Sequence, residues 1–375
     1  MKKFLVFFFV LFLASIFSLS AAGRASAPRG QAADTRTVVD QNGNTITLPA
    51  TIERVAITSP WPLPSVYALF MGSGERIVGI HPAVQSAAEF SFLMRVAPQL
   101  ATADTGWIQG TTINIEALMN LNPCVVFIPA GNEAQRSALE SAGIPAVAFS
   151  VSIAQWNTIE TINLWVQLLG EIFGDELKAD YITSHGRMVE EMVLSRTRTI
   201  PQAERPRTLI LFRYDYTQMQ TMGPGHFGQY WLDTTGAISV SEGFPSTPML
   251  FNINMEQVLA WDPEVILITN FSPALASDFL EGEARVFNDD WSAVRAVRDR
   301  RVYKFPMGMY RWYPPSSDSP LTLLWLAQTL HPELFADIDL HQEIRDFYQR
   351  FYGLTLTDAD LHLMLNPPRE AARDA

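Results

Sequence analysis

The sequence predicts an α/β protein in two halves that a long helical connector joins. Short apolar strands alternate with helix-like stretches in both halves, a pattern typical of parallel sheets whose faces are covered by helices. A central region between the halves lacks any strand pattern, and one helix–strand segment of the first half recurs in the second. These three observations together set the predicted fold class.

The composition of the 375 residues limits the classes of protein to be considered. A chain of this length can bury two hydrophobic cores. Its formal net charge of −12 argues against a nucleic-acid partner, which would select a basic surface. The single cysteine, Cys124, excludes a disulfide scaffold and a thiolate metal cluster within this chain.

Residues 1–22 have the order of a secretory signal peptide. Two lysines precede an apolar run (Phe4–Leu13), and small residues up to Ala22 follow. The run is short for a bilayer span, which needs about 20 residues. The small residues predict cleavage near Ala22 and export to the periplasm. Since no cysteine stands near this end, we expect no lipid anchor. The alternative is an uncleaved N-terminal anchor.

The first predicted lobe, called the N-lobe below, spans residues 35–152. It opens with a hairpin, because two segments of alternating polarity flank Asn42-Gly43, a strong turn signal. The predicted strands after it are the apolar runs Val55–Thr58, Ile77–Ile80, Val125–Ile128 and Ala146–Phe149. The predicted helices between them are Pro64–Met71, Ile115–Asn120 and Glu133–Ala142.

Residues 153–200 are predicted to form the helical connector. Apolar residues recur there with helical spacing, at Ile159, Ile162, Val166, Leu169 and Phe173. Gly174-Asp175 predicts a break, after which a second long helix continues. A stiff helical connector limits how far the two lobes can move relative to each other.

The second predicted lobe, called the C-lobe below, spans residues 201–352. Its predicted strands are Thr208–Phe212, Val265–Thr269 and Val302–Phe305. Residues 353–375 form a C-terminal tail in which no functional pattern is recognisable. We expect it to fray, because chain termini are often poorly ordered.

Residues 113–128 and 253–268 repeat one another with a constant offset of 140 residues and no gap. Asn is a favourable helix N-cap, Glu suits the first turn of a helix, and Pro ends a helix. A generic helix–Pro–strand unit accounts for part of this pattern, but two gap-free copies favour duplicated lobes. The identical pairs are Ile113/Ile253, Asn114/Asn254, Glu116/Glu256, Pro123/Pro263, Val125/Val265 and Ile128/Ile268.

Further segments are informative in combination: Val38–Ile57, the two Asn-x-Glu helices, Trp291–Tyr303 and the closing helix Leu321–Leu330. Together they resemble the iron-chelate and cobalamin substrate-binding proteins of ABC importers, which are class III periplasmic binding proteins. The resemblance implies two Rossmann-like lobes joined by a single long helix, with the ligand in the cleft between the lobes. It also implies that Glu116 and Glu256, one on each lobe, dock to arginine pockets of the permease dimer.

Ligands of open α/β lobes bind beyond the carboxyl ends of the strands, and this rule selects the candidate site. The segments at those positions are rich in aromatic side chains, which suit a bulky chelate, and contain arginines, which suit anionic oxygens. His81 and His226 are also candidate ligands for iron, although isolated histidines are more often hydrogen-bond partners. The candidate ligand-binding residues are Trp61, His81, Trp107, Arg213, Tyr214, His226, Tyr310, Arg311 and Trp312.

We therefore expect a monomeric substrate-binding protein that delivers an Fe(III) chelate of the siderophore type to an ABC permease dimer with its ATPase. No catalysis, permanently bound cofactor or nucleic acid is expected. Corrinoids and the oxyanions molybdate and tungstate are alternatives within the class.

The alternatives from other classes are a surface adhesion or sensor module and a secreted enzyme with His226 as general base beside Tyr214 or Tyr310. The sequence lacks a phosphate-binding loop, a G-x-S-x-G elbow and an H-E-x-x-H motif.

Overall fold

The computed structural model describes residues 34–58 and 62–372. The predicted signal peptide, residues 1–22, lies outside the described residues, and so does Trp61. Within the described ranges, no helix combines the length and the apolar character that crossing a membrane requires.

The N-lobe begins with a hairpin and continues as alternating strands and helices. Its strands are β1 (Thr35–Val39), β2 (Thr45–Pro49), β3 (Val55–Ile57), β4 (Ile77–Ile80), β5 (Ile108–Gln109), β6 (Thr112–Ile113), β7 (Val125–Pro129) and β8 (Ala146–Phe149). Its helices are α1 (Leu63–Met71), α2 (Pro82–Glu89), α3 (Leu93–Val96), α4 (Ile115–Asn120) and α5 (Glu133–Ser141), with a 3-10 turn at Pro98–Ala101.

Two long helices form the connector, as the apolar spacing predicts. The side chain of Asn157 accepts a hydrogen bond from the Glu160 N–H and caps the first helix, which ends at Gly174 with a left-handed φ of 72°. Asp175 then caps the second helix by accepting from the Lys178 N–H. The break predicted at Gly174-Asp175 is therefore confirmed. The two helices are α6 (Thr158–Phe173) and α7 (Glu176–Thr197).

The C-lobe repeats the alternation of strands and helices, and further helices follow it. Its strands are β9 (Arg207–Leu211), β10 (Arg213–Tyr214), β11 (Met219–Met222), β12 (Ile238–Ser239), β13 (Leu250–Asn252), β14 (Val265–Ile268), β15 (Arg285–Val286), β16 (Asp289–Asp290) and β17 (Val302–Lys304). The helices are α8 (Phe227–Thr234), α9 (Met255–Trp261), α10 (Ala276–Leu280), α11 (Arg295–Arg298), α12 (Ser319–Leu330), α13 (Leu340–Tyr352) and α14 (Asp358–Leu365), with 3-10 turns at Gln202–Glu204 and Arg369–Ala372.

Each lobe is built on a four-stranded parallel sheet with the same strand order. The N-lobe sheet runs β4-β3-β7-β8, and the C-lobe sheet runs β12-β9-β14-β17. When the strands of each sheet are numbered along the chain, both orders read 2-1-3-4. The order reverses between β3 and β7 and between β9 and β14, and open α/β sheets bind ligands beyond the strands at such reversals. The predicted fold class is confirmed.

The sequence repeat is a structural repeat. Asn114 and Asn254 cap α4 and α9, and each side chain accepts a hydrogen bond from the backbone N–H three residues further on. Asn122 and Asp262, which are matched in the repeat, follow the two helices with left-handed φ values of 44° and 40°. The buried strands β7 and β14 then lie in the third place of their sheets. The repeated segments thus build the same unit in both lobes.

The C-terminal tail does not fray over its described residues, and this corrects the expectation from the sequence. It continues beyond α13 as α14 and a 3-10 turn. Asp360 of α14 forms an ion pair with Arg95 of the N-lobe at 2.5 Å. Arg369 forms an ion pair with Asp278 of the C-lobe. Long-range pairs of this kind hold the tail against both lobes.

Candidate ligand-binding cleft

A cavity of about 500 Å³ lies at the carboxyl edges of both sheets, with walls from the two lobes. Beside the N-lobe sheet, Pro62 lies beyond β3 and Ala130 beyond β7, the strands that flank the reversal of strand order. Beside the C-lobe sheet, Phe271 lies beyond β14 and Tyr310 beyond β17. The lining residues are Pro62, Pro129, Ala130, Phe149, Ser150, Val151, Ser152, Phe227, Met249, Phe271, Tyr310, Pro314 and Pro315.

The wall of this cavity is largely apolar. Phe149, Phe227, Phe271 and Tyr310 give it aromatic surface from both lobes. Burial raises the pKa of Tyr310, so its phenol stays neutral. Four lining residues are prolines, which have no backbone N–H to donate. Since none of the described lining residues carries a charge, the wall favours a ligand with extensive apolar surface.

Arg311 lies behind this wall and not at its surface, which differs from the expected ligand contact. Its side chain is buried, and the guanidinium carbon lies 4.9 Å from the centroid of the Phe271 ring. Its Nη2 donates to the carbonyl of Ala371 in the tail at 3.1 Å. Phe271 stacks in turn on Phe212, with ring centroids 4.9 Å apart. Arg311 and the tail therefore position an aromatic residue of the wall.

A second cavity of about 450 Å³ borders the first, because Phe271 lines both. Arg213 is half-buried in its wall, and no hydrogen bond or ion pair to its guanidinium occurs within the described residues. Asp215 accepts hydrogen bonds inside its own turn, and Arg369 is paired with Asp278. Arg213 is thus placed to meet an anionic group of a ligand. The lining residues are Arg213, Asp215, Gln218, Phe271, Pro273, Arg369, Glu370 and Ala372.

His81 has a local structural role in the N-lobe. Its Nδ1 accepts a hydrogen bond from the Ala83 N–H at 3.1 Å and caps α2. Its Nε2 lies 3.1 Å from the carbonyl oxygen of Gly110 in the turn between β5 and β6. Burial lowers the pKa of His81, which favours the neutral ring. The ring thus ties a turn to a helix.

His226 lies at the start of α8, next to the lining residue Phe227. Its Nε2 lies 3.1 Å from the Ser246 carbonyl oxygen, and its ring centroid lies 4.7 Å from that of Trp156. Its Nδ1 has no hydrogen-bond partner in the described part of the chain. The described residues contain no group of three or more His, Cys, Asp or Glu side chains that could hold a metal ion. The structure therefore gives no support to iron ligation by His81 and His226.

Three predicted ligand-binding aromatics are buried and line neither of the two cavities described above. Trp107 is fully buried in the N-lobe core, and its Nε1 donates to the carbonyl of Asp104. Tyr214 donates to the Val286 carbonyl deep in the C-lobe. The buried Trp312 donates to the carboxylate of Asp318. These placements correct the expectation of ligand contacts, since each polar atom is already used inside the fold.

The two glutamates of the repeat are exposed at matched positions. Glu116 lies in the first turn of α4, and Glu256 lies in the first turn of α9. Neither carboxylate has a hydrogen bond or an ion pair within residues 34–58 and 62–372. Both side chains are therefore available to a partner.

Several lining residues were not predicted from the sequence, although the strand-end rule could have found them. Ser150 directly follows the predicted strand Ala146–Phe149, and Phe271 follows Val265–Thr269 after one residue. Applying the rule to every strand would also have selected Pro129 and Ala130. Met249 lies in a long loop, where no sequence pattern points to a ligand-binding residue.

Comparison with known proteins settles the class of the molecule. Residues 55–307 match the family model described as periplasmic binding protein. The chain belongs to the periplasmic binding protein family. It is of class III, the kind that binds a substrate for an ABC importer.

Named relatives of this periplasmic binding protein differ in what their names say they bind. It is 25% identical over 340 residues to the molybdate-binding protein MolA of Haemophilus influenzae, with 84% of this chain and 91% of MolA covered. It resembles a periplasmic solute-binding protein of Veillonella parvula DSM 2008 with a TM-score of 0.79 and 28% identity, covering 88% of this chain and 97% of the other. The Ni(II)-bound CeuE of Helicobacter pylori shares the fold, with a TM-score of 0.64, 19% identity, and coverage of 88% and 99%.

Proposed function

We propose that this periplasmic binding protein captures an organic chelate of a metal ion, of the ferric siderophore type, and delivers it to an ABC permease. The observation that carries the proposal is the apolar, aromatic-walled cavity of about 500 Å³ at the reversal points of the sheets. Its volume lies within the range of about 300–1,000 Å³ that is usual for small-molecule sites. Its wall suits the organic shell of a chelate better than a bare ion.

The metal in this proposal arrives already coordinated by its organic ligand. Iron ligation by His, Cys, Asp or Glu would need several such side chains that converge, and the described residues contain no such group. A chelate presents aromatic or aliphatic surface to Phe149, Phe227 and Phe271 instead. Burial of that surface supplies the main driving force for capture.

The neighbouring cavity supplies recognition of charge. Arg213 is free to donate to an anionic oxygen at the edge of the chelate, and Phe271 lines both its cavity and the apolar one. An arginine offers a planar set of donors that matches catecholate or carboxylate oxygens. The two cavities together favour an amphiphilic ligand with an apolar body and an anionic edge.

Delivery follows from the positions of Glu116 and Glu256. Each carboxylate is exposed on its own lobe, at the start of a helix of the duplicated unit. Two such groups fit two arginine sites related by the two-fold axis of a permease dimer. Transport by this mechanism needs binding of the chelate to a monomer in the periplasm, a small movement of the lobes and release of the chelate to the permease. It needs no catalytic step.

Capture of an oxyanion such as molybdate or tungstate is the second candidate. The name of the relative MolA favours it, because the alignment covers 84% of this chain. In addition, His226 has an unpartnered, buried Nδ1 at the start of α8, beside the lining residue Phe227. A small tetrahedral ion would nevertheless leave most of the apolar wall unfilled.

A binding panel with the purified, ligand-free protein tests the proposal. The probes are a ferric catecholate, a ferric hydroxamate, haemin, cyanocobalamin and sodium molybdate, each followed by thermal shift and by isothermal titration. We expect one-to-one binding of at least one iron chelate and no heat from molybdate. Binding of molybdate with no binding of any organic chelate would replace the proposal with the oxyanion candidate.

A further inference from the structure

The two repeat helices expose the same set of side chains, and the set includes an apolar residue on each helix. Met119 lies one turn after Glu116, and Leu259 lies one turn after Glu256. Met119 is 56% exposed and Leu259 is 45% exposed. The intervening Leu118 and Val258 are instead fully buried in their lobes. Exposure thus follows the same pattern along both helices.

On each helix, the carboxylate and the apolar side chain belong to one patch. Residues three apart on a helix lie on the same face, with Cβ atoms about 5–6 Å apart. Glu116 with Met119, and Glu256 with Leu259, therefore present an acidic group beside an apolar group twice on one molecule. We call these two pairs the acidic–apolar patches.

We propose that Met119 and Leu259 are the apolar halves of a two-part docking contact whose acidic halves are Glu116 and Glu256. The inference rests on the proposed function, because it takes the permease dimer as the partner. The partner surface then carries, at two sites related by symmetry, a basic side chain next to an apolar pocket.

The apolar side chains can strengthen a docking contact to which exposed ion pairs alone contribute little. An ion pair exposed to water contributes little to the stability of a complex. A neighbouring side chain that buries itself in a pocket excludes water from the pair and contributes its own burial. Methionine and leucine have similar volumes, so both fill equivalent pockets of a symmetric partner.

The negative charge of the acidic–apolar patches favours a partner with basic side chains. A second copy of this chain would set carboxylates against carboxylates, since Glu116 and Glu256 lie on both copies. An anionic lipid surface would repel the same groups in a chain of net charge −12. A two-fold symmetric protein with basic side chains matches both the sign and the number of the patches.

Three double variants test the inference against the permease–ATPase complex that functions with this protein, reconstituted in nanodiscs. The first is Met119→Ser with Leu259→Ser, and the second is Glu116→Gln with Glu256→Gln. The control removes two exposed leucines elsewhere, Leu177→Ser in α7 with Leu363→Ser in α14, which are 85% and 48% exposed. Affinity for the complex is measured at low and at high salt, and chelate binding to each variant checks its fold.

We expect the Met119/Leu259 variant to bind the complex at least tenfold more weakly at both salt concentrations, with an unchanged salt dependence. The Glu116/Glu256 variant weakens binding and flattens the salt dependence, and the Leu177/Leu363 control binds like the wild type. Wild-type affinity of the Met119/Leu259 variant, with weakened binding of the glutamine variant, overturns this inference and leaves the proposed function intact. Wild-type affinity of both variants overturns the docking part of the proposed function as well.

Discussion

Arg95 in α3 and Asp360 in α14 form an ion pair at 2.5 Å, although the first lies in the N-lobe and the second in the C-terminal tail. The hydrogen bond from Arg95 holds the pKa of Asp360 well below its ordinary value. The backbone N–H of Phe92 in the N-lobe donates to the carbonyl of Gly308 in the C-lobe at 2.9 Å. The connector helices are therefore not the sole link between the lobes, and the tail restrains their movement.

A double-mutant cycle with Arg95→Gln and Asp360→Asn measures this link. We expect a coupling free energy of about 1 kcal/mol at pH 7 in urea unfolding, because the carboxylate is largely buried although the arginine is partly exposed. A folded-state pKa below the unfolded value stabilises the protein above the unfolded pKa. The contribution is therefore lost as the pH falls through the acidic range.

The exposed pair of Glu191 in α7 and Arg198, which directly follows α7, provides the matched control for this cycle. Its side chains are 58% and 66% exposed, so its coupling free energy should lie near zero. A coupling free energy near zero for both pairs would show that the Arg95–Asp360 contact does not link the tail to the N-lobe.

Arg213 should discriminate between chelates by their charge. Arg213→Gln is expected to weaken binding of a negatively charged ferric catecholate by about 10–100-fold, since a hydrogen bond to a charged group contributes about 1.5–3 kcal/mol. Binding of an uncharged ferric hydroxamate should change less than about twofold. Titration calorimetry with both chelates measures the difference.

Arg198→Gln is the control for this prediction, because Arg198 lies on the connector, away from both cavities, and should leave both affinities unchanged. An equal loss for both chelates in Arg213→Gln would point to a structural role of Arg213. No loss for either chelate would remove Arg213 from the site.

Asp318 is a fully buried carboxyl that should make stability depend on pH. Burial raises its pKa to about 7, although hydrogen bonds from the Met309 N–H, the Tyr348 hydroxyl and the Trp312 indole oppose the rise. Between the unfolded pKa and about 7, the folded state holds a proton that the unfolded state has lost. The stabilisation is thus complete below the unfolded pKa and falls as the pH rises through that interval.

The variant Asp318→Asn separates this effect from other titrating groups. Relative to the variant, the wild type should lose on the order of 2 kcal/mol of unfolding free energy between pH 5 and pH 8. Urea unfolding at the two pH values measures this difference. Parallel pH profiles of the two proteins would contradict the assigned titration. Other titrating groups, such as the half-buried His185, cancel in the comparison because both proteins contain them.

Much of the fold follows from local sequence pattern. The strands of the two parallel sheets, such as β4 and β8, are continuous apolar runs because both faces of the sheet are covered. The bounds of β4 and β8 equal the prediction, and those of β3, β7, β9, β14 and β17 lie within one residue of it at each end. The short strand β12 (Ile238–Ser239) was not predicted, since two residues carry no periodic signal.

The site was harder to predict, because sequence marks an aromatic residue without showing which side of the lobe it faces. Trp107 and Trp312 pack inward, whereas Phe149 and Phe271 form the wall. The packing of the tail was also invisible, because the ion pair of Asp360 joins residues far apart in the chain. Glu116 and Glu256 are exposed in the first turns of their helices, and their docking role, which the resemblance implied, stays a prediction.

Capture of a chelate in the apolar cavity is best tested by calorimetric titration of an iron chelate into wild type, Ala130→Trp and the control Ala134→Trp. The first substitution fills the cavity from its N-lobe wall, and the second places the same indole at an exposed position of α5. We expect one bound chelate in the wild type and the control, and at least about 100-fold weaker binding to Ala130→Trp. Equal affinity of all three proteins for the chelate would rule out capture in this cavity.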